Sequence, residues 1–346
     1  MTDKKIAVGV SGGADSLALV LMAAEELAVF GYQIAALTVD HRLRPGSAQE
    51  AQYVGRLMAE HNIEHHILVW DGEKPLSGIE DAARAARYDL MQQWCEENGV
   101  HVLMVAHHRR DQAETFLMRL QRGSGLEGLC CMREVSYWRD LLILRPLLDC
   151  SPEDLRNYLR KRGVQWVEDE SNTDGRYMRN KMRAYLPELE HQTGISAQIL
   201  AQTAARLQSA EEYMEQQVEQ IMEQQVCRLS GGVSCIEYGD FLQWHREIKF
   251  RVLACLCRRE YIPRAERVLN AVQKMNHLPF YGITLGGREI FAAYGKIWVV
   301  PERNAKRIAS REKWKEFVLQ NPQYAAKKIP HKARVAILES WNPKNV

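Results

Sequence analysis

The chain has 346 residues, 46% of them hydrophobic and 26% charged. These are the proportions of an ordinary soluble protein with room for two or three domains. The net charge of +2 excludes a uniformly basic nucleic-acid binder and leaves only local basic patches for such a partner. Glu25 and Glu26 break the longest apolar run, so no stretch reaches the ~20 residues of a membrane span. With a strand at the very start and no room for a signal peptide, the expected setting is cytoplasmic, away from membranes. Eight cysteines without a C-x-x-C pair read as reduced, mostly buried thiols.

Ile6 to Val10 is short, apolar and β-branched, as a buried parallel strand should be. Leu17 to Phe30 is rich in helix formers. Between them lies Ser11-Gly12-Gly13-Ala14-Asp15-Ser16. A strand, a glycine turn and a helix in that order make a phosphate cradle, because backbone N–H groups of the first helical turn point at the anion. Asp15 is out of place beside a phosphate unless it holds a Mg²⁺ that grips the same phosphates. The segment lacks the ending of a P-loop and the spacing of a dinucleotide fingerprint. The alternative reading is a plain strand-to-helix turn.

Ile34 to Val39 reads as a second strand that ends at Asp40-His41-Arg42-Leu43-Arg44. Groups at that end of a parallel strand face the ligand crevice, so Asp40 can meet a nucleotide or its metal and Arg44 an anion. A helix follows near Ser47–His61, a third strand over His66–Trp70, and a strong helix over Ile79–Asn98. Arg84 and Arg87 share a face of that helix and suit one phosphate, although Glu80 and Arg84 also form a solvated pair. Val100 to Ala106 is a fourth strand, running into His107-His108-Arg109-Arg110-Asp111-Gln112-Ala113-Glu114-Thr115. Structural zinc is disfavoured, since adjacent histidines do not share a helix face. His107, Asp111 and Glu114 instead suit a nucleotide and its Mg²⁺.

Arg122-Gly123-Ser124-Gly125 opens a second glycine-rich loop with a permanent cation; the alternative is a lid without contacts. Leu141 to Leu144 is the expected last strand, and Ser151-Pro152-Glu153-Asp154 starts a helix. Glu168 to Asp174 holds four carboxylates in seven residues, and Arg176, Arg179, Lys181 and Arg183 follow. The first group suits an ammonium substrate or a capped turn, the second phosphates. Ala197 to Val226 reads as a long helix, Leu229–Ser234 as a turn, Phe241–Arg259 and Pro263–Met275 as amphipathic helices, and Ile283–Phe291 as a hairpin. From Glu302 onward eleven Lys/Arg stand against four Glu, interleaved with Trp314, Phe317, Tyr324 and Trp341. That mixture suits RNA backbone and exposed bases, or a solvated helix pair.

Ser-Gly-Gly-x-Asp-Ser after an N-terminal strand resembles the signature of the N-type ATP pyrophosphatases. Asp40-His41-x-Leu43-Arg44, Ala83-Arg84-x-x-Arg87-Tyr88, Ala106-His107-His108 with Asp111-Gln112-x-Glu114-Thr115, Arg122-Gly123-Ser124-Gly125, Arg145-Pro146-Leu147, Asp169-x-Ser171-Asn172 and Arg179-Asn180-x-x-Arg183 then follow. They occur in the order seen in the tRNA(Ile)-lysidine synthases, densely over residues 5–185 and more faintly over 235–301. The resemblance implies an α/β fold: a parallel-sheet PP-loop domain (adenine nucleotide alpha-hydrolase-like) over 1–190, followed by a mainly helical C-terminal part. That part divides into a helical linker (191–228), a small, mostly helical tRNA-recognition domain (229–301) and a basic tail (302–346).

It implies ATP binding by Ser11, Gly12, Gly13, Ala14, Asp15 and Ser16, with Mg²⁺ on Asp15 and Asp111. Catalytic roles fall on Asp15, Asp40, His107, Asp111, Glu114 and Arg122. tRNA contacts fall on Arg84, Arg87, Arg122, Arg179, Asn180 and Arg183. The implied substrates are ATP, free L-lysine and the CAU-anticodon isoleucine tRNA, whose wobble cytidine would be adenylated at the C2 oxygen and then attacked by the lysine ε-amine; a homodimer is compatible. Two departures stand out: Arg110 occupies the first of the family's paired aspartates, and the tail does not resemble the family's common last domain. A tRNA thiolase, for which Cys130-Cys131 is the only suggestive pair, and a non-catalytic ATP- or RNA-binding relative remain the alternatives.

Overall fold

The opening apolar run becomes β1 (Lys5–Gly9), buried on both faces: Ile6 and Val8 pack into one core, and Ala7 into the other. In the computed structural model the described residues are 4–43, 46–72, 74–75, 77–168, 178–258, 263–277, 279–302, 310–325 and 327–341. The chain divides into two units, 1–211 and 212–346.

In the first unit β1 is followed by α1 (Ala14–Ala28), β2 (Gln33–Asp40), α2 (Ser47–Glu60), β3 (Glu64–Val69), α3 (Ile79–Glu97) and β4 (Val102–Met104). Then come α4 (Arg109–Gln121), α5 (Leu126–Leu129), β5 (Val135–Trp138), β6 (Leu141–Leu144), α6 (Pro152–Lys161), α7 (Met178–Thr193) and α8 (Ala197–Gln224), whose residues from 212 onward belong to the second unit. The six strands form one sheet in the order β3-β2-β1-β4-β6-β5, parallel except for β5, which pairs antiparallel with β6. Leu17, Val20 and Leu21 of α1, Val54 and Met58 of α2, and Leu155 and Leu159 of α6 cover one face. Tyr88, Met91 and Trp94 of α3 cover the other. The chain builds outward from β1 to β3, then returns to place β4 on the opposite side of β1. The carboxyl ends of β1 and β4 therefore flank the switch point of an open α/β sheet, where such folds bind ligands.

The second unit carries β7 (Cys227–Leu229), β8 (Val233–Glu237), α9 (Tyr238–Gln243), α10 (Arg246–Leu256), α11 (Ala265–Met275), β9 (Ile283–Leu285), β10 (Arg288–Ala293) and β11 (Lys296–Pro301). It ends with α12 (Arg311–Gln320) and α13 (His331–Ser340). The anticipated hairpin is β9–β10, and it belongs to a five-stranded antiparallel sheet in the order β7-β8-β11-β10-β9. Helices α9 to α11 pack on one face through Phe241, Leu253, Val268 and Met275. The single helix expected over Phe241–Arg259 is broken at Trp244, after which His245 caps α10 by accepting the Glu247 N–H at 3.2 Å.

Of the two readings of the tail, the fold shows the helix pair. Phe317 and Tyr324 are 2% and 6% exposed, packed with Trp298, Val300 and Ile337 on the other face of the sheet. Trp314 stacks on Phe317 with ring centroids 5.2 Å apart, and Trp341 meets Phe317 edge-on at 5.6 Å. The aromatics read as RNA-stacking groups thus hold α12 and α13 onto the sheet, and the lysines between them occupy the outer surface.

Candidate active site

Gly12, at φ +85°, turns the chain at the end of β1, and a Cβ there would lie 3.1 Å from Val54 Cγ2. Its carbonyl accepts the Val167 N–H at 3.0 Å, which pins the turn from the far side. Gly13 is the N-cap of α1 and supplies no side-chain cap, so the first-turn N–H groups are left for an anion. Ser16 Oγ accepts the Ser11 N–H at 3.0 Å, donates to the Gly13 carbonyl at 3.0 Å and lies 3.2 Å from Ser11 Oγ. The two serines hold the loop's shape before any ligand arrives. Ala14 and Asp15 follow as the first residues of α1.

The second limb begins at the end of β4. His108 is the N-cap of α4: its Nδ1 accepts the Asp111 N–H at 3.3 Å, while Asp111 Oδ2 accepts the His108 N–H at 3.0 Å. This is a capping box with histidine in the usual serine place. Nδ1 acts as acceptor, so the ring proton sits on Nε2, which lies 3.4 Å from Asp15 Oδ2. His108 therefore ties the phosphate loop after β1 to the helix after β4, across the switch point. Burial opposes its protonation, yet the carboxylates of Asp15, Asp111 and Glu114 carry its pKa above the usual histidine value.

Asp111 and Glu114 face α7. Glu114 is fully buried, and Arg179 Nε donates to it at 2.9 Å, Arg183 Nε at 2.7 Å and the Arg183 terminal nitrogen at 3.3 Å. Arg179 also donates to Asp111 Oδ1 at 2.6 Å. Arg110 donates to the Arg183 carbonyl at 2.8 Å and lies 3.9 Å from Glu114. Burial raises the Asp111 pKa, but His108, Arg179 and His107 outweigh it and hold the carboxyl below the usual range. Asn180 lies on α7 between the two arginines.

The remaining expected site residues are spread around this centre. Asp40 is 6% exposed and turned onto its own loop, accepting the Arg42 N–H at 2.9 Å; that bond supports the left-handed Arg42 (φ 50°). Burial works against its ionisation, and hydrogen bonds from Ser47 and Arg42 more than offset that. Half-buried His107 has its pKa pushed down to about 3 by burial and by Arg84, Arg145 and Arg179, and its Nδ1 has no hydrogen-bond partner. Arg84 and Arg87 are exposed on α3, with the Arg84 guanidinium 5.3 Å from the Tyr88 ring centroid. Arg122 is the exposed C-cap of α4. Arg44, Asp169, Ser171, Asn172, Asp174 and Arg176 lie outside the described residues.

Sequence reasoning missed three supports. Gln112 brackets Met132, donating to its carbonyl at 2.7 Å and accepting its N–H at 3.0 Å. Gln208 of α8 donates to the same carbonyl at 2.9 Å. Gly128 is required because a Cβ there would lie 2.6 Å from Ser124 Cβ. His108 itself was readable, since a residue able to accept, followed three places later by Asp111, is a cap pattern. Cys130 and Cys131 are buried; Cys130 Sγ donates to the Leu126 carbonyl at 3.1 Å, and burial pushes the Cys131 thiol up to about 11. Neither is placed as a reactive thiol. Among the described residues no three His, Cys, Asp or Glu side chains form a metal-binding group. Nor is any helix long and apolar enough to cross a membrane.

Comparison with known proteins agrees with this geometry. A family profile described as a PP-loop domain matches residues 1–189. The tRNA(Ile)-lysidine synthase of Ruegeria pomeroyi is 36% identical over 79% of this chain and 66% of its own length. That of Bradyrhizobium diazoefficiens is 33% identical over 88% of this chain and 92% of its own length. The chain spans less than two thirds of the length of several such relatives. A U34-tRNA thiolase from Methanococcus maripaludis, solved with its [4Fe-4S] cluster, shares the fold at a TM-score of 0.52 and 15% identity, over 60% of this chain and 73% of its own. The family match over residues 1–189 and these relatives place this chain in the PP-loop family and, within it, among the tRNA(Ile)-lysidine synthases.

Proposed function

We propose that this chain joins L-lysine to C2 of the wobble cytidine of the CAU-anticodon isoleucine tRNA, using ATP and releasing AMP and pyrophosphate. The observation that carries the reading is the His108 bridge, which couples the pyrophosphate cradle of Ser11–Ser16 to the charged centre on α4 at the switch point. The uncapped first turn of α1 receives the ATP phosphates, and Ser11 and Ser16 keep that cradle from collapsing. Arg179 and Arg183, clamped by Asp111 and Glu114, present fixed positive charge where phosphate charge develops. No covalent nucleophile is needed, in keeping with two buried, hydrogen-bonded cysteines.

The donor chemistry fits Mg²⁺ at Asp15, whose partly exposed carboxylate sits at the mouth of the loop. It fits less well at Asp111, where one oxygen accepts the capping N–H and the other Arg179. Mg²⁺ on Asp15 would neutralise pyrophosphate charge; Asp111 organises His108 and Arg179. The free-lysine carboxylate and ammonium groups are further ligands of this site in the proposal.

The test is pyrophosphate release from ATP by the purified chain with Mg²⁺ and bulk tRNA, with and without lysine. Lysine-dependent release, with labelled lysine entering the CAU isoleucine tRNA, is expected. Release that ignores lysine and needs a sulfur donor overturns the proposal in favour of thiolation. ATP binding without release overturns it in favour of a non-catalytic relative, and then Arg110→Asp is the informative variant.

A further inference from the structure

Cys227 and Cys235 share no sequence motif, but the fold sets them face to face. The antiparallel register of β7 and β8 pairs Cys227 directly with Cys235. Opposed residues in such a ladder have Cα atoms about 4.5–5.5 Å apart and side chains on one face. That spacing lies inside the roughly 4.4–6.8 Å over which a disulfide closes without backbone movement. The two sulfurs are close enough to act electrostatically on one another. Their exposures differ: Cys227 is exposed on an edge strand, whereas Cys235 is 4% exposed and packed with Val233, Trp298 and Val300. The Lys296 ammonium, ion-paired with Glu237, acts electrostatically on both sulfurs.

We propose that Cys227 and Cys235 are a thiol modification site that closes a reversible cross-strand disulfide when a hydroperoxide supplies the oxidising equivalents. The exposed Cys227 reacts first, because its sulfur is open to solvent whereas that of Cys235 is buried. Its sulfur takes one peroxide oxygen, giving the sulfenic acid and water. Cys235 then attacks that sulfur; the S–S bond forms, the S–O bond breaks, and hydroxide leaves to take up the Cys235 proton as water. Two thiols lose two electrons in all, and one hydrogen peroxide becomes two waters. Cys235 is the resolving partner because it is buried and stands opposite Cys227 in the ladder; burial and the adjacent Cys227 also push its thiol up to about 12. The bond staples the three-residue edge strand β7 to the sheet immediately after α8.

The full chain is treated with hydrogen peroxide, alkylated and digested with trypsin without reduction. Cys227 falls in peptide 207–228 and Cys235 in peptide 229–246, and neither peptide holds another cysteine. The expected result is a linked pair two hydrogens lighter than the sum, on monomeric protein and reversed by dithiothreitol. An unfolding transition several degrees higher should accompany it and be absent in Cys227→Ser. Cys227 oxidised to the sulfinic acid beside an alkylatable Cys235 overturns the proposal. So does linkage of Cys227 to another cysteine or a second molecule, or no linkage at peroxide levels that oxidise free glutathione.

Discussion

Glu114 is the side chain whose replacement tests the charged centre most directly. It is fully buried and accepts three hydrogen bonds from Arg179 and Arg183, while Arg110 lies 3.9 Å away. Glu114→Gln keeps the shape but removes the charge, leaving three guanidinium groups around a neutral amide. Charge-assisted bonds are each worth about 1.5–3 kcal/mol, and breaking one side of a buried pair costs roughly 3–5 kcal/mol. The arginine side chains are 28–29% exposed, so water recovers part of that, and about 3 kcal/mol is expected. For a unit of this size that corresponds to a drop of roughly 6–12 °C in Tm, read by circular dichroism. A double-mutant cycle with Arg183→Met should return a coupling of about 2 kcal/mol. A loss below about 1 kcal/mol for Glu114→Gln, or a coupling near zero, would refute the view that α7 is held on α4 through this carboxylate.

Gly12→Ala places a methyl at φ +85° and 3.1 Å from Val54; it should cost about 1–2 kcal/mol and weaken ATP binding measured by calorimetry. Acid should destabilise the first unit. Unfolded histidine takes a proton near pH 6.5, whereas His107 and His41 resist it down to about 3 and about 4, chiefly through burial. The unfolded state thus binds more protons in that window, and stability falls as pH drops through it. His108 has the opposite sign, adding stability below about pH 6.5 that is lost as pH rises through its raised pKa. His107→Gln should flatten the acid limb of Tm against pH, and an unchanged limb would contradict the assignment. Phe317→Ala should cost about 3–5 kcal/mol in a urea titration, because the ring is core to α12 and α13.

The first unit was legible because its signals are local. Uninterrupted β-branched runs marked β1 and β2, and Ser151-Pro152 marked the start of α6, where Ser151 Oγ accepts the Asp154 N–H at 3.1 Å. β5 escaped notice because Val135–Trp138 is an edge strand with a single antiparallel partner, reached through a left-handed Arg139. In the second unit, β8 and β11 are five and six residues long and gain their identity from pairing with each other across distant chain, which no window of sequence displays. The tail leaves two readings open for a related reason. Aromatics spaced among lysines look the same whether their rings face RNA or a sheet, and only the apolar face of Val233, Trp298 and Val300 decides it.

The candidate site separates along the same line. Residues suited to hold an anion through backbone N–H groups, such as Gly12 and Gly13, announce themselves by type and spacing. Residues that act on each other do not. Asp111 and Glu114 read as free carboxylates suited to a metal, because sequence shows an acid without showing what neutralises it. Arg179 and Arg183, some seventy positions away, read as cations for tRNA phosphates for the same reason. The fold brings the two sets together, so each arginine already has an anion. A phosphate reaching Arg179 must compete with Asp111 or share the guanidinium's outer edge, and a lysine ammonium reaching Glu114 must displace an arginine. Under the proposed function, substrate entry at this centre is an exchange of ion pairs. His108, bonded to Asp111 on one side and Asp15 on the other, is the group through which an exchange at either end reaches the phosphate loop.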